Sequence, residues 1–193
     1  MPIVPRVAGL VVLLLASSCA RFAPPVSVGQ VIPEKRAILY GRFFRDESLL
    51  GNQIALRIYN ASGKHYTVRF SHKEPVYAVE IEPGAYQIRS FIGTYLDRRI
   101  VGRGALGPSQ LGRFSNSFQV KRGHAVYIGD FTGFCDMSGL TQEWGIRKVQ
   151  CKFDETTKEF REKYQNLAAM PTYCPFISPA KQTPLAFNGM SGE

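Results

Sequence analysis

The chain has 193 residues, of which 24 are Lys or Arg and 15 are Asp or Glu, giving a formal net charge of +9. This length is enough for one ordinary domain with a sizeable core. The basic surplus favours contact with acidic surfaces such as phospholipid headgroups, lipopolysaccharide phosphates or nucleic acid. The basic residues are scattered along the chain, however, so a solvated basic surface is the preferred interpretation.

The first residues have the features of an export signal. Arg6 and the amino terminus form a small positive region, and residues 7–16 are an uninterrupted run of apolar and small residues. Ten residues at helical rise span about 15 Å, which is half of the roughly 30 Å hydrocarbon core of a bilayer. The run therefore predicts the hydrophobic region of a signal peptide and argues against a transmembrane helix.

The end of this signal resembles the cleavage site of bacterial lipoproteins, in which an aliphatic residue and two small residues precede a cysteine that becomes lipidated. Ser17, Ser18 and Cys19 match this pattern, whereas Ala16 stands where leucine is commoner, with Leu15 one place early. The resemblance implies cleavage after residue 18, a thioether-linked diacylglycerol on Cys19, and a third acyl chain, such as palmitate, on the new amino terminus. Two or more chains hold a protein stably on a membrane.

Two further expectations depend on this cysteine. Ala20 follows it, and the lack of aspartate at that position favours the outer membrane of a Gram-negative envelope over the inner membrane. We therefore expect a lipid-anchored protein at the outer membrane, on its periplasmic face. The alternative is an ordinary secretory signal cleaved near Ser18, which would leave Cys19 as a spare thiol.

Beyond the signal peptide (1–18), the sequence divides into three parts. Residues 19–36 contain Cys19 and a segment broken by proline and glycine, which predicts a flexible tether that lifts the domain off the membrane. Residues 37–177 carry the regular patterns of a folded domain. Residues 178–193 predict an extended or disordered tail.

Alternation of apolar and polar residues predicts most of the strands. Residues 53–59 and 64–70 both alternate and are joined by an Asn/Gly turn at 60–63, so they predict a β-hairpin. The apolar stretches at 37–44 and 124–134 predict strands buried on both faces, the second of them central in a sheet.

Several connections carry local signals. Pro83 and Gly84 fit the corners of a type II turn, and Arg122–Gly123 predicts the turn of another hairpin. A change of alternation near Arg147–Lys148 predicts a β-bulge. The glycine-rich residues 102–113 lack a GK[ST] motif, so they predict a flexible loop rather than a phosphate-binding loop.

One helix is predicted near residues 156–168. Thr156 and Glu159 have the spacing of a capping box at its start. The apolar face expected to pack on the sheet consists of Phe160, Tyr164, Leu167 and Ala168.

Cys135, Cys151 and Cys174 remain after the cysteine of the signal. An oxidising compartment would permit one disulfide among them and leave one thiol over. Cys151 with Cys174 is the preferred pair because little more than the helix separates them, and Cys135 is the alternative partner. The spacings suggest no zinc site, and we expect neither a metal nor a cofactor.

Eight or nine short strands with frequent turns predict an all-β fold, an antiparallel β-sandwich with one C-terminal helix packed on it. The run around Pro83, Gly84 and Tyr86 resembles the strand–turn–strand element of PEGA-type and carboxypeptidase-regulatory-like domains. The resemblance implies an Ig-like or transthyretin-like sandwich that serves as a binding or structural module, and it carries no catalytic residue to this chain.

The sequence therefore predicts a lipid-anchored, non-enzymatic envelope protein whose partners are the membrane and a protein or envelope component, not nucleic acid. An accessory lipoprotein of a secretion or envelope assembly is one form of this hypothesis, and a domain that merely braces the membrane face is another.

Asp130 lies in an apolar strand and needs a partner there, for which hydrogen bonding to a turn is preferred to catalysis.

The enzymatic alternative is an envelope hydrolase, which would need a nucleophile beside a positioned base. The three histidines, His65, His72 and His124, all look exposed from their sequence context. Cys135 or Cys151 with His124 is the only conceivable thiol–histidine pair, and nothing in the local sequence supports it. The chain contains neither GxSxG nor HExxH.

Overall fold

Two β-sheets face each other, and one helix covers the outer face of the second sheet. The computed structural model describes residues 21–22, 24–45, 53–70, 74–95, 98–105, 111–136 and 143–176. The predicted signal peptide, Cys19, His72 and the predicted tail (178–193) lie outside these residues. Within them, no helix has the length and apolar content needed to cross a membrane.

The strands and the helix are, in chain order, β1 (Arg21–Phe22), β2 (Ala37–Arg45), β3 (Gln53–Asn60), β4 (His65–Arg69), β5 (Val76–Ile81), β6 (Gly84–Tyr95), β7 (Arg98–Ala105), β8 (Phe118–Val120), β9 (Ala125–Asp136), β10 (Glu143–Gln150), α1 (Phe153–Lys163) and β11 (Thr172–Tyr173). Short 3₁₀ turns at Gly112–Ser115 and Gln165–Leu167 complete the described part.

The first sheet, called sheet A, has the order β1-β4-β3-β6-β7, with β8 paired to β6. The second, sheet B, has the order β10-β9-β2-β5, with β11 paired to β9. The chain is therefore a mostly-β, sandwich-like fold, as predicted. The pairing is mixed rather than purely antiparallel, because the central strands β2 and β9 run parallel.

Apolar side chains fill the space between the sheets. Leu39 and Phe43 of β2, Ile58 of β3, and Ile128 and Phe131 of β9 are essentially inaccessible to solvent. Strands β2 and β9 are buried on both faces, which confirms the prediction for these two stretches, since their other faces lie under α1.

The helix forms a third layer. Phe160 of α1, with Tyr164 and Leu167 just after the helix, is buried against Ile38 and Tyr40 of sheet B. These are three of the side chains predicted for the packing face. The helix begins at Phe153, however, several residues before the predicted start.

The predicted capping box is wrong. The residue before the helix is Lys152, and no side chain caps it. Thr156 and Glu159 lie inside the helix and contact sheet B instead, so tertiary partners have replaced the local ones.

Two local predictions along the sheets are confirmed. Strands β3 and β4 form the predicted hairpin, with Gly63 at φ +78 in the turn and a hydrogen bond from its N–H to the Asn60 carbonyl. The register between β9 and β10 shifts between Ile146 and Lys148, which is the predicted β-bulge.

Two predicted turns have a different role. Strand β5 belongs to sheet B and β6 to sheet A, so the connection at Pro83–Gly84 crosses between sheets, and Gly84 has φ +153 rather than the φ of about +80 of a type II turn. The connection at Arg122–Gly123 likewise joins β8 of sheet A to β9 of sheet B and is not a hairpin. Local turn chemistry does not distinguish a hairpin from a crossing between layers.

The glycine-rich segment at 102–113 is more regular than the loop that was expected. Strand β7 extends to Ala105 and pairs with β6, and Gly112–Ser115 is a 3₁₀ turn whose Phe114 is buried. Residues 106–110 lie outside the described part.

The segment predicted as a tether is also packed on the sandwich. Strand β1 pairs with β4, Pro25 forms a β-bridge with Val79, and the Val26 N–H donates to the Ala78 carbonyl at 3.0 Å. These residues cover the outer edges of β4 and β5, which would otherwise expose unpaired backbone groups. The described part of the segment predicted as a tether, residues 21–22 and 24–26, therefore pairs with strands β4 and β5.

Candidate functional site

A cluster of polar side chains lies buried between sheet B and α1. Arg42 of β2 and Asp130 of β9 are 5% and 4% exposed, and their Nη1 and Oδ2 atoms are 3.7 Å apart. The same Arg42 nitrogen donates to Glu155 Oε1 at 2.8 Å, and its Nε donates to Glu159 Oε2 at 3.0 Å. The guanidinium thus joins two strands of the sheet to two turns of the helix.

Asp130 is held by hydroxyl groups as well as by the arginine. The Tyr127 hydroxyl donates to its Oδ1 at 2.9 Å, and the Thr156 hydroxyl donates to the same carboxylate at 3.0 Å. Burial raises the pKa of the Asp130 carboxyl, and burial beside this carboxylate raises the pKa of the Tyr127 phenol. Tyr127 in turn accepts a hydrogen bond from the Lys152 N–H at the start of the helix.

A β-bulge in β9 brings these groups to one face. Tyr40 pairs with Tyr127 and Arg42 pairs with Asp130, so β9 uses one more residue than β2 over this interval. Tyr127 and Asp130 would point to opposite faces of a regular strand, and the extra residue lets both face the helix. The backbone needs glycine here, because a Cβ on Gly41 would lie 2.3 Å from the Gly129 carbonyl oxygen.

The sequence flagged Asp130 but not its partners. The preferred partner was a turn, whereas the structure supplies a tyrosine, a helix threonine and Arg42. The signal that could have identified Arg42 is its position as the one charged residue within the apolar stretch at 37–44.

The contacts of this cluster indicate a structural role, in which it links α1 to sheet B. Its carboxylate and guanidinium are bonded to protein groups, and α1 covers them. Among the residues that the structure describes, no group of three or more His, Cys, Asp or Glu side chains is placed to hold a metal ion.

Two of the three cysteines meet at the edge of sheet B. Cys151 follows β10 and Cys174 follows β11, and these strands lie along successive parts of β9. Their sulfur atoms are 4.0 Å apart without a bond, in a setting where Cys174 is buried and Cys151 half-buried. The backbone of Cys135 lies at the far end of β9, opposite Trp144. The structure thus brings the preferred pair together, and the disulfide stays a prediction.

The two histidines that the structure describes, His65 and His124, lie near turns. His124 Nδ1 is 2.7 Å from the Arg122 carbonyl oxygen, and its ring packs edge-on against Tyr173. His65 begins β4, with its ring centroid 5.3 Å from that of Tyr59.

A shallow surface pocket of about 190 Å³ opens beside the β3–β4 turn. It is lined by Tyr59, Asn60, Ala61, Ala85, Tyr86, Gln87, Arg89 and Ser117. Its volume is below the range of roughly 300–1,000 Å³ that is usual for small-molecule sites.

Comparison with protein-family models, with curated proteins and with solved structures gives no match to this chain, so no residue of it takes a role from a relative.

Proposed function

We propose that this chain is a lipid-anchored, non-enzymatic envelope protein whose β-sandwich is a binding or structural module at the outer membrane. The observation that carries the proposal is the position of Arg21, whose strand β1 pairs with β4 of the sandwich. It lies two residues after Cys19, the residue that the lipoprotein-like pattern marks for acylation. An anchor and a folded domain in direct succession suit a protein that works at a membrane surface.

The buried charges support a structural role for the domain interior. Arg42 and Asp130 are the most buried charged groups described, and their contacts hold α1 to sheet B. Groups committed to such contacts are poor candidates for the proton transfers of a hydrolase, which need access to a substrate.

The finer fold type belongs to the proposal as well. We infer a transthyretin-like or Ig-like sandwich, which is supported by the element around Pro83, Gly84 and Tyr86. Tyr86 is buried, and its hydroxyl donates to the Glu82 carbonyl four residues upstream at 2.8 Å. A tyrosine that bonds back to the preceding backbone is a feature of such sandwiches.

The anchor is tested by replacing its cysteine. In cells labelled with palmitate, the native protein should take up label and sediment with membranes, and Cys19→Ser should lose the label and become soluble. Washing at high salt screens the basic surface and removes electrostatic retention. Cys135→Ser is the matched control and should stay labelled and membrane-bound. Unchanged partition of Cys19→Ser at high salt would overturn the lipid anchor.

The role as a binding module is tested by partner capture. Crosslinking of intact cells followed by purification of the acylated protein should yield one partner in reproducible stoichiometry. A protein that only braces the membrane would yield none, and that result would remove the accessory form of the proposal while leaving the anchor intact.

A further inference from the structure

Four connections lie at one end of the sandwich, which we call the turn end. They comprise residues 33–36, 60–64, 82–84 and 121–124. Strand register places them together, since Ala37 pairs with Ile81 in sheet B and Gly84 pairs with Val120 in sheet A. The Gly123 N–H also donates to the Arg36 carbonyl at 2.9 Å.

The chain enters the domain at this same end. Strand β1 runs parallel to β4, with Arg21 aligned to Tyr66 and Phe22 to Thr67. Because β4 starts immediately after the turn at 60–64, the start of β1 also lies at the turn end. Arg21, the first residue of β1, therefore lies at the turn end.

The number of residues between Cys19 and Arg21 limits the distance between the turn end and a lipid attached to Cys19. Only Ala20 separates Cys19 from Arg21, and two residues span at most about 7 Å. A flexible tether over residues 20–36 would instead have an end-to-end distance of roughly 20 Å. The screening length at physiological salt is about 8 Å. Charges at the turn end would therefore interact electrostatically with the headgroups when two residues link it to the anchor, but not when a flexible tether does.

The exposed charges of the turn end suit an anionic surface. Lys35, Lys121 and Arg122 are exposed there, and the exposed acidic neighbour is Glu34. A juxtamembrane lysine or arginine is attracted by anionic headgroups, and several together orient a bound protein.

The other acidic groups at this end are already paired. Arg36 Nε contacts Glu80 Oε1 at 2.5 Å, and Lys64 Nζ contacts Glu82 Oε2 at 2.8 Å. These two ion pairs also link three of the four connections, or the strands next to them, to one another. The turn end is therefore one continuous surface with more exposed basic than acidic side chains.

We propose that the turn end lies directly against the anionic phospholipid headgroups of the bilayer that holds Cys19, with the strands rising away from the membrane. This inference rests on the proposed lipid anchor and adds an orientation and a contact surface to it. The opposite end of the sandwich then faces away from the bilayer.

The experiment measures lysine protection on the acylated protein in vesicles of phosphatidylethanolamine and phosphatidylglycerol. A water-soluble amine-reactive ester is applied, and modification is quantified by mass spectrometry against the same protein in detergent. Lys35 and Lys121 should react several-fold more slowly on vesicles. Lys148 and Lys158, which are exposed on β10 and α1, should react at unchanged rates.

A matched variant carries a ten-residue Gly/Ser insertion between Ala20 and Arg21. It should remain on the vesicles through its acyl chains but lose the protection of Lys35 and Lys121. Equal labelling of all four lysines on vesicle-bound native protein would overturn the orientation, as would full protection in the insertion variant. A native protein that carries no acyl group by mass would instead overturn the lipid anchor.

Discussion

The space between the two sheets and the interface beneath α1 are both buried, but they are built differently. The first is filled by apolar side chains, whereas the second combines apolar contacts with Arg42, Asp130, Thr156 and Thr157. Apolar burial is non-directional and tolerates exchange of one aliphatic or aromatic side chain for another. Hydrogen bonds between buried groups require particular partners at particular distances.

This difference shows how the domain positions its third layer. A helix held by apolar contacts alone can slide or rotate on a sheet at modest cost. Here the Tyr40 hydroxyl lies 2.6 Å from the Thr157 hydroxyl, and Arg42 binds Glu155 and Glu159 on successive turns. The polar cluster therefore specifies where α1 sits, while the inter-sheet core buries more apolar side chains than the interface under the helix.

The largest loss of stability is expected when a side chain of the inter-sheet core is truncated. Phe131 is fully buried, and its ring stacks on that of Phe43 with centroids 5.6 Å apart. Phe131→Ala should lower the free energy of unfolding by about 4 kcal/mol, measured by urea denaturation of the mature chain carrying Cys19→Ser. Phe131→Leu is the control and should cost clearly less. A loss below about 1 kcal/mol for the alanine variant would show that this core is not the main source of stability.

The next effect tests the polar cluster. Arg42→Met removes the cation and leaves Asp130 buried without it, which should cost about 3 kcal/mol. The double variant Arg42→Met/Asp130→Asn should recover part of that loss, because no uncompensated charge remains. Additive losses in the double-mutant cycle would mean that the two residues act independently, contrary to their contact.

A disulfide between the two cysteines should tie the end of β10 to the end of β11. Oxidation of Cys151 and Cys174 closes a loop over a sequence separation of 23 residues and should stabilise the oxidised protein by about 3 kcal/mol. Denaturation with and without reductant, with non-reducing peptide mapping, measures this. Cys135→Ser should leave the reductant effect intact, and Cys151→Ser should abolish it. A reductant effect that survives in Cys151→Ser would assign the bridge elsewhere.

The pH dependence of the free energy of unfolding should differ between the native protein and Asp130→Asn. Burial raises the folded-state pKa of Asp130 above its unfolded value of about 3.9, so folding favours the protonated carboxyl. Its stabilising contribution is complete below the unfolded pKa and is lost as pH rises through the folded pKa. Unfolding free energies measured from acid to neutral pH should therefore show the native protein losing stability relative to Asp130→Asn. The opposite slope would mean that Arg42 outweighs burial.

The smallest effect is expected on the solvent face of α1. Lys158 Nζ and Glu162 Oε1 are 4.0 Å apart, and both side chains are mostly exposed. Lys158→Ala should change stability by no more than about 0.5 kcal/mol, by the same denaturation measurement. A larger loss would indicate that this face of the helix packs against something in solution.

Sequence reasoning was most successful where the structure is local. Alternation predicted the β3–β4 hairpin, and the change of alternation predicted the bulge between Ile146 and Lys148 of β10. It failed at Pro83–Gly84 and Arg122–Gly123, because a turn signal shows that the chain changes direction but not which sheet it enters. It failed at Thr156 because Asp130, distant in sequence, takes the hydroxyl that a local cap would have used.

The candidate functional residues show the same difference between features set by neighbours along the chain and features set by tertiary contacts. Cys19 was identified from a short pattern of adjacent residues, and its acylation remains a prediction because the residue lies outside the described part. The partners of Asp130 were not foreseen, because the bulge in β9 that aligns it with Tyr127 depends on the pairing of β9 with β2. The packing of residues 21–26 was not foreseen either, because the edges of β4 and β5 exist only once the sandwich has formed.

By itself, the sequence determined the mostly-β class and a helix with its apolar face, and it predicted lipid attachment at Cys19. These depend on residue periodicity and short motifs, which are properties of neighbours along the chain. Only the tertiary structure decided which strands share a sheet, how α1 is held by Arg42 and Asp130, and that β1 pairs with β4. These depend on residues far apart in sequence whose contacts appear only when the layers are assembled.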